Sequence, residues 1–121
     1  ERYLSNLEGI KNIKIVRPAE GIKSNYAYFP VIFDGYRCNR DEVFELLKEN
    51  GIYARKYFYP ITSAFECYRG VFEPKKTPVA LEISKKVLTL PMYADLSMEE
   101  VDSICSIILN KSSSFGPGGV K

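Results

Sequence analysis

Apolar residues open the chain at Tyr3, Leu4 and Leu7, the spacing of one helical face, and Glu8-Gly9 ends the run. So short a pattern predicts the tail of a longer helix. Ile13-Lys14-Ile15-Val16 alternates with period two and stops at Arg17-Pro18, as a short strand does. Pro18 to Asn25 is polar around Gly21 and reads as a loop. Tyr26 to Phe33 is rich in aromatic and β-branched residues and predicts a second strand, closed by Asp34-Gly35. Pro30 has no N–H for a ladder, which puts that strand at an edge or bulges it there.

The clearest helix follows. Asn39 can cap it with Glu42 as the reciprocal acid of a capping box. Val43, Phe44, Leu46 and Leu47 form its stripe, Lys48 suits its last turn, and Gly51 supplies a left-handed stop. The period then switches to two, and Ile52 through Tyr59 reads as a strand ended by Pro60. A looser aromatic loop runs to Pro74. Thr77-Pro78 looks like a cap followed by a first-position proline, opening a short helix with Val79, Ala80, Ile83 and Val87 on one face. Leu88 to Pro91 is a short strand. Ser97 and Glu100 form a second capping box, with Leu96 and Val101 at the staple positions and Val101, Ile104, Cys105 and Ile108 as the stripe.

After the initial helical tail the order is β-β-α-β-α-β-α, with pieces too short for repeated parallel crossovers. The expected fold class is α+β: one domain with a small, mostly antiparallel sheet and helices on one face. Residues 1–8 read as the end of a longer helix (an interdomain helix, by the resemblance given below), 9–110 as the domain and 111–121, rich in Ser and Gly, as a flexible tail.

Composition narrows the chemistry. The 121 residues are 45% hydrophobic and 26% charged, ordinary for a globular domain, so a disordered tail or disulfide scaffold is excluded. A net charge of +2 is too small to imply a nucleic-acid or acidic-lipid partner. The absence of His removes Ser-His-Asp and Cys-His catalysis and His-ligated metal sites. Cys38, Cys67 and Cys105 lie far apart with no Cys-x-x-Cys, which predicts reduced, mostly buried thiols and no metal. No apolar run is long enough to span a membrane. The chain starts at Glu1 without a signal-peptide pattern and reads as a piece of something longer.

No glycine loop cradles a phosphate, and the acid pairs Asp41/Glu42 and Glu99/Glu100 are explained by first turns of helices. One stretch offers more. On a strand, Ala54-Arg55-Lys56-Tyr57-Phe58-Tyr59-Pro60 puts Arg55, Tyr57 and Tyr59 on one face and Lys56 and Phe58 on the other. An Arg beside two phenols offers a fork for carboxylate or phosphate, together with stacking surfaces. The bland alternative is an amphipathic strand that buries Phe58 and leaves the polar-aromatic face touching nothing. An RNA-binding sheet falls behind both, because its motif is absent and the charge is small.

The run Gly51 to Pro60 resembles the small C-terminal domain of the DegT/StrS-type sugar aminotransferases. So do Ser24-Asn25-Tyr26, the run Ser84 to Tyr93, and the final helix from Leu96-Ser97 through Glu100 to Ile108. The resemblance implies a pyridoxal-phosphate enzyme that moves an amino group, usually from glutamate, onto a nucleotide-linked keto-deoxysugar, and that works as a cytoplasmic homodimer. It places the cofactor lysine in a large domain absent here, so no catalytic or cofactor-binding residue is expected in this chain. It makes Arg55, Tyr57 and Tyr59 substrate-binding residues on one wall of the cleft. Many relatives carry a His two residues after the Tyr-Pro, where this chain has Thr62. The wording of the run is similar to members that make 4-amino-4,6-dideoxyglucose on a thymidine nucleotide. The rival reading is a free-standing, non-catalytic α+β binding module.

Overall fold

Ile13–Ile15 (β1), Phe29–Phe33 (β2) and Val87–Leu90 (β3) pair antiparallel in the order β1-β2-β3. The structure, a computed structural model, describes residues 1–25, 27–57 and 59–109. Pro30 therefore sits in the central strand, not at an edge or bulge as its missing N–H suggests, and it pairs in regular register with Thr89.

The ladder explains how. Thr89 exchanges both backbone hydrogen bonds with Arg55, at 3.0 and 2.8 Å, so its polar groups point away from β2. Pro30–Thr89 is accordingly a non-hydrogen-bonded pair, and the nitrogen of Pro30 faces the β1 side. There the register Ile13↔Phe33, Lys14↔Ile32, Ile15↔Val31 would continue to Val16 and Pro30. That pair needs an N–H that proline lacks, and β1 ends at Ile15.

The predicted strand from Ile52 to Tyr59 shrinks to an isolated bridge, Arg55 with Thr89. The Tyr59 N–H donates to the Lys56 carbonyl at 3.0 Å, so the chain turns before a ladder can form, and the Tyr59–Pro60 peptide is cis.

Three helices cover one face of the sheet: Arg2–Leu7 (α1), Arg40–Glu49 (α2) and, after the short helix Pro78–Ser84 (α3), Met98–Leu109 (α4). Their inward residues join the same-face residues of the strands in one core, including Leu7, Val31, Phe33, Leu47, Leu88, Leu90 and Ile108. Both capping boxes form: Asn39 with Glu42 at 2.9 and 2.8 Å, and Ser97 with Glu100 at 3.1 and 2.8 Å. Gly51, at φ +77°, closes α2: its N–H reaches the Lys48 carbonyl and that of Ile52 the Leu47 carbonyl. Tyr3 Oη donates to the Pro91 carbonyl at 2.8 Å, and Asp102 of α4 takes Arg2 and Asn6 of α1.

Between Pro60 and Ser84 the chain makes three short 3-10 turns and α3, and Ser84 is the one buried residue of that stretch. Of the apolar face expected on α3, Val79, Ala80 and Ile83 stay outside, Val79 76% exposed, while Val87 lies past the helix in β3 and is buried. Thr77 does not cap α3; its hydroxyl donates to the Pro74 carbonyl, although Pro78 does occupy the first position. Cys38 and Cys105 are buried and Cys67 is exposed, none of them in a disulfide. The expected tail 111–121, the inward position of Phe58 and the strand start at Tyr26 lie outside the described residues.

Candidate functional site

Chain parity survives past the end of α2 although regular strand does not. Ile52 packs against the core, Tyr53 points out, Ala54 is buried and Arg55 points out. Directly paired residues share a face, so Arg55 joins Thr89 on the side of the sheet away from the helices.

There a groove of about 380 Å³ opens, walled by Tyr28, Tyr53, Arg55, Tyr57, Pro91 and Tyr93. The rings of Tyr28 and Tyr57 lie 4.8 Å apart at 51°. Their hydroxyls share a hydrogen bond of 3.2 Å, with Tyr57 the donor in the neutral pair. Once Tyr57 loses its proton Tyr28 becomes the donor, and this bond, helped by the Arg55 guanidinium, holds the Tyr57 phenol below its ordinary pKa. The same bond pushes Tyr28 up. The groove thus offers aromatic faces, phenolic donors and a guanidinium fork, the groups that recognise a planar ring, sugar hydroxyls and an anionic oxygen.

Of the sequence-expected residues, the structure brings Arg55 and Tyr57 together and sets Tyr59 apart. The turn at Lys56 sends the Tyr59 ring under the Arg40 guanidinium, 4.7 Å from its centroid. Lys56 faces α2, with Nζ 2.9 Å from Asp41 and 4.5 Å from the Phe44 ring centroid. Tyr28, Tyr53 and Tyr93 are further groove residues. For Tyr28 and Tyr53 a signal existed, since each has the outward parity of its segment. Tyr93 follows β3 in irregular chain and has no periodic signal.

A larger hollow of about 530 Å³ lies beside the groove, sharing Tyr53, Pro91 and Tyr93 and adding Leu96, Glu99, Glu100 and Ile104. Its extra walls bring apolar surface and carboxylates, and Glu100 is committed to its cap, so the recognition chemistry stays with the smaller groove.

A pyridoxal cofactor needs a lysine for its aldehyde and an acid for its ring nitrogen. Among the described residues the groove has neither: Lys56 is turned to Asp41, while Lys14 and Lys86 hold Asp34, each at 3.0 Å. These residues do not fit the cofactor. The described residues also contain no cluster of metal-ligating groups and no helix long and apolar enough to cross a membrane.

The model of the DegT/DnrJ/EryC1/StrS aminotransferase family matches residues 1–109. The chain is 41% identical over 112 residues to dTDP-4-amino-4,6-dideoxy-D-glucose transaminase of Escherichia coli, covering 90% of this chain and 30% of that protein. It is 27% identical over 111 residues to GDP-perosamine synthase of Vibrio cholerae, covering 91% and 30%. The PLP-form of a Streptococcus pneumoniae protein assigned as a sugar aminotransferase superposes with a TM-score of 0.81 at 24% identity, over 93% of this chain and 29% of that one. The chain thus spans less than a third of the length of these relatives.

Proposed function

The chain belongs to the DegT/DnrJ/EryC1/StrS aminotransferase family, and we propose that it forms the substrate-facing small domain of a cytoplasmic nucleotide-sugar aminotransferase. In this reading a large domain elsewhere in the protein binds pyridoxal phosphate and carries the chemistry. This chain supplies orientation: Arg55 takes an anionic group of the nucleotide sugar, and Tyr57 with Tyr28 supplies hydroxyl and ring contacts. Tyr59 acts from behind the groove. The amino donor is glutamate and the working form a homodimer. The two named relatives act on sugars carried by dTDP and GDP. The higher identity is to the first, which favours a thymidine nucleotide and a 4-keto-6-deoxyhexose.

The observation that carries the proposal is the groove itself. Among the described residues, one cation set among tyrosines on the sheet face opposite α1, α2 and α4 suits a mixed anionic, polyhydroxy and planar ligand better than it suits packing. The test is a pair of half-reactions with the full-length enzyme, wild type and Arg55→Ala. The nucleotide-sugar half-reaction should lose turnover efficiency while the glutamate half-reaction changes less. Equal kinetics in both enzymes would return the groove to a plain surface.

A further inference from the structure

Arg40 opens α2 and is 2% exposed, a buried cation whose partners come from three separate segments. Its Nη1 donates to the Ser84 carbonyl at 2.7 Å and the Val87 carbonyl at 3.2 Å, tying the end of α3 to the outer edge of β3. Its Nε meets the Asp41 carboxylate at 2.7 Å, and its plane covers the Tyr59 ring. Asp41 in turn holds Lys56, whose ammonium sits over Phe44. The first turn of α2 therefore grips the Arg55 segment at two residues, Lys56 and Tyr59. Arg55 and Tyr57 line the groove instead. An aliphatic side chain of equal volume would fill the space without spanning two carbonyls and a ring, and a buried charge is costly unless such geometry is used.

We propose that Arg40 is a positioning residue: through Tyr59, and through Asp41 to Lys56, it holds the segment so that Arg55 and Tyr57 are presented to the groove. This rests on the groove being the substrate-facing site. Asp41, held below the ordinary carboxylate range by Lys56 and then Arg40, stays ionised and keeps the grip closed near neutral pH. Tyr59, half exposed, works by seating the guanidinium and touches no substrate.

The test uses this chain with labelled tyrosines and compares wild type, Arg40→Met and Tyr59→Leu by nuclear magnetic resonance. In both variants the Tyr28–Tyr57 ring contact should disappear. Exchange protection of the Arg55 and Thr89 amides should fall by about tenfold or more while the α4 amides keep theirs. A residue of merely structural importance would lower protection in α4 as well. Should Arg40→Met unfold the chain, Tyr59→Leu decides, because its ring is half exposed and leaves no cavity. An intact ring contact and an unchanged bridge in Tyr59→Leu would overturn the proposal. Titration with thymidine diphosphate supplies a separate arm, in which Tyr59→Leu should weaken binding by about threefold or more. If Arg55→Gln leaves thymidine diphosphate binding unaltered, the substrate reading of the groove fails, while the resonance result still judges the grip.

Discussion

Two regions of this chain carry apolar residues and treat them in opposite ways. In the sandwich of sheet and three helices, Leu47, Leu88 and Ile108 are fully buried. In the excursion from 60 to 84, Val71, Phe72 and Val79 are each more than half exposed. The difference lies in periodicity and partnership. Sandwich elements present their apolar residues at the period of their own backbone, and each face meets another such face. The excursion is built from i to i+3 bonds such as Phe65 N–H to Thr62 and Val71 N–H to Tyr68, and its aromatic contact, Tyr68 with Phe72, is local as well. A high apolar count does not bury a segment; matched faces do. The Arg40 bond to Ser84 ties the excursion's far end back to the sandwich.

The contrast breaks most readily in the core. Leu47→Ala should lower unfolding free energy by about 2–5 kcal/mol, whereas Phe72→Ala should change it by about 0.5 kcal/mol at most. Urea denaturation of both variants measures this, and a Phe72 cost rivalling that of Leu47 would merge the two regions into one cooperative unit. Arg55 sits at the border between them. Under the proposed function, Arg55→Ala in the full-length enzyme should lower kcat/KM for the nucleotide sugar by at least about tenfold, because a charge-assisted contact contributes about 1.5–3 kcal/mol. Its melting curve should barely move. Loss of stability in proportion to loss of activity would place Arg55 in the sandwich as a folding residue.

Smaller effects sharpen the boundary. Ser97→Ala removes a working cap in the sandwich and should cost about 1 kcal/mol, while Thr77→Ala in the excursion should cost less than about 0.5 kcal/mol. Equal costs would contradict the different bonding of these two residues. The gentlest probe is acid. Asp102, held by Arg2 and Asn6, has its pKa lowered to about 2, below the unfolded value. Its stabilisation is therefore complete above the unfolded carboxylate pKa of about 4 and disappears as pH falls through the folded value. Asp34, lowered by Lys86 and then Lys14, acts with the same sign. The melting temperatures of wild type and Asp102→Asn should converge as pH drops through this window, and high salt should narrow their gap at any pH. A gap that persists in strong acid would mean that the α1–α4 clasp is not electrostatic.

Sequence pattern was informative where a local rule and a tertiary partner agree. Asn39, Ser97 and Gly51 do what their spacing predicts because a cap or a helix stop is made almost wholly from neighbours in sequence. Arg55 and Tyr57 were legible for a similar reason: parity alone separates them from Lys56. What escaped depends on a neighbour not visible from the residue. Pro30 is allowed in a central strand because β1 stops beside it. Thr77 finds the Pro74 carbonyl before it can cap. The Ile52–Tyr59 alternation ends at a turn, so Tyr59 leaves the face its parity assigns it. Arg40 carries no pattern signal at all, since a polar residue in the first turn of a helix predicts solvent and not burial.

The way the sheet ends has a consequence for how this chain behaves in a crowded solution. Open strand edges invite another molecule to add a strand and begin aggregation. Pro30 halts β1 after three residues, too short a row to act as a template, and the Ile13 N–H is already taken by the Ile10 carbonyl. On the far side, Thr89 is paired with Arg55, and the Val87 carbonyl is occupied by Arg40. Both margins of a sheet only three strands wide are thus closed to recruitment, one by a proline and the other by two arginines.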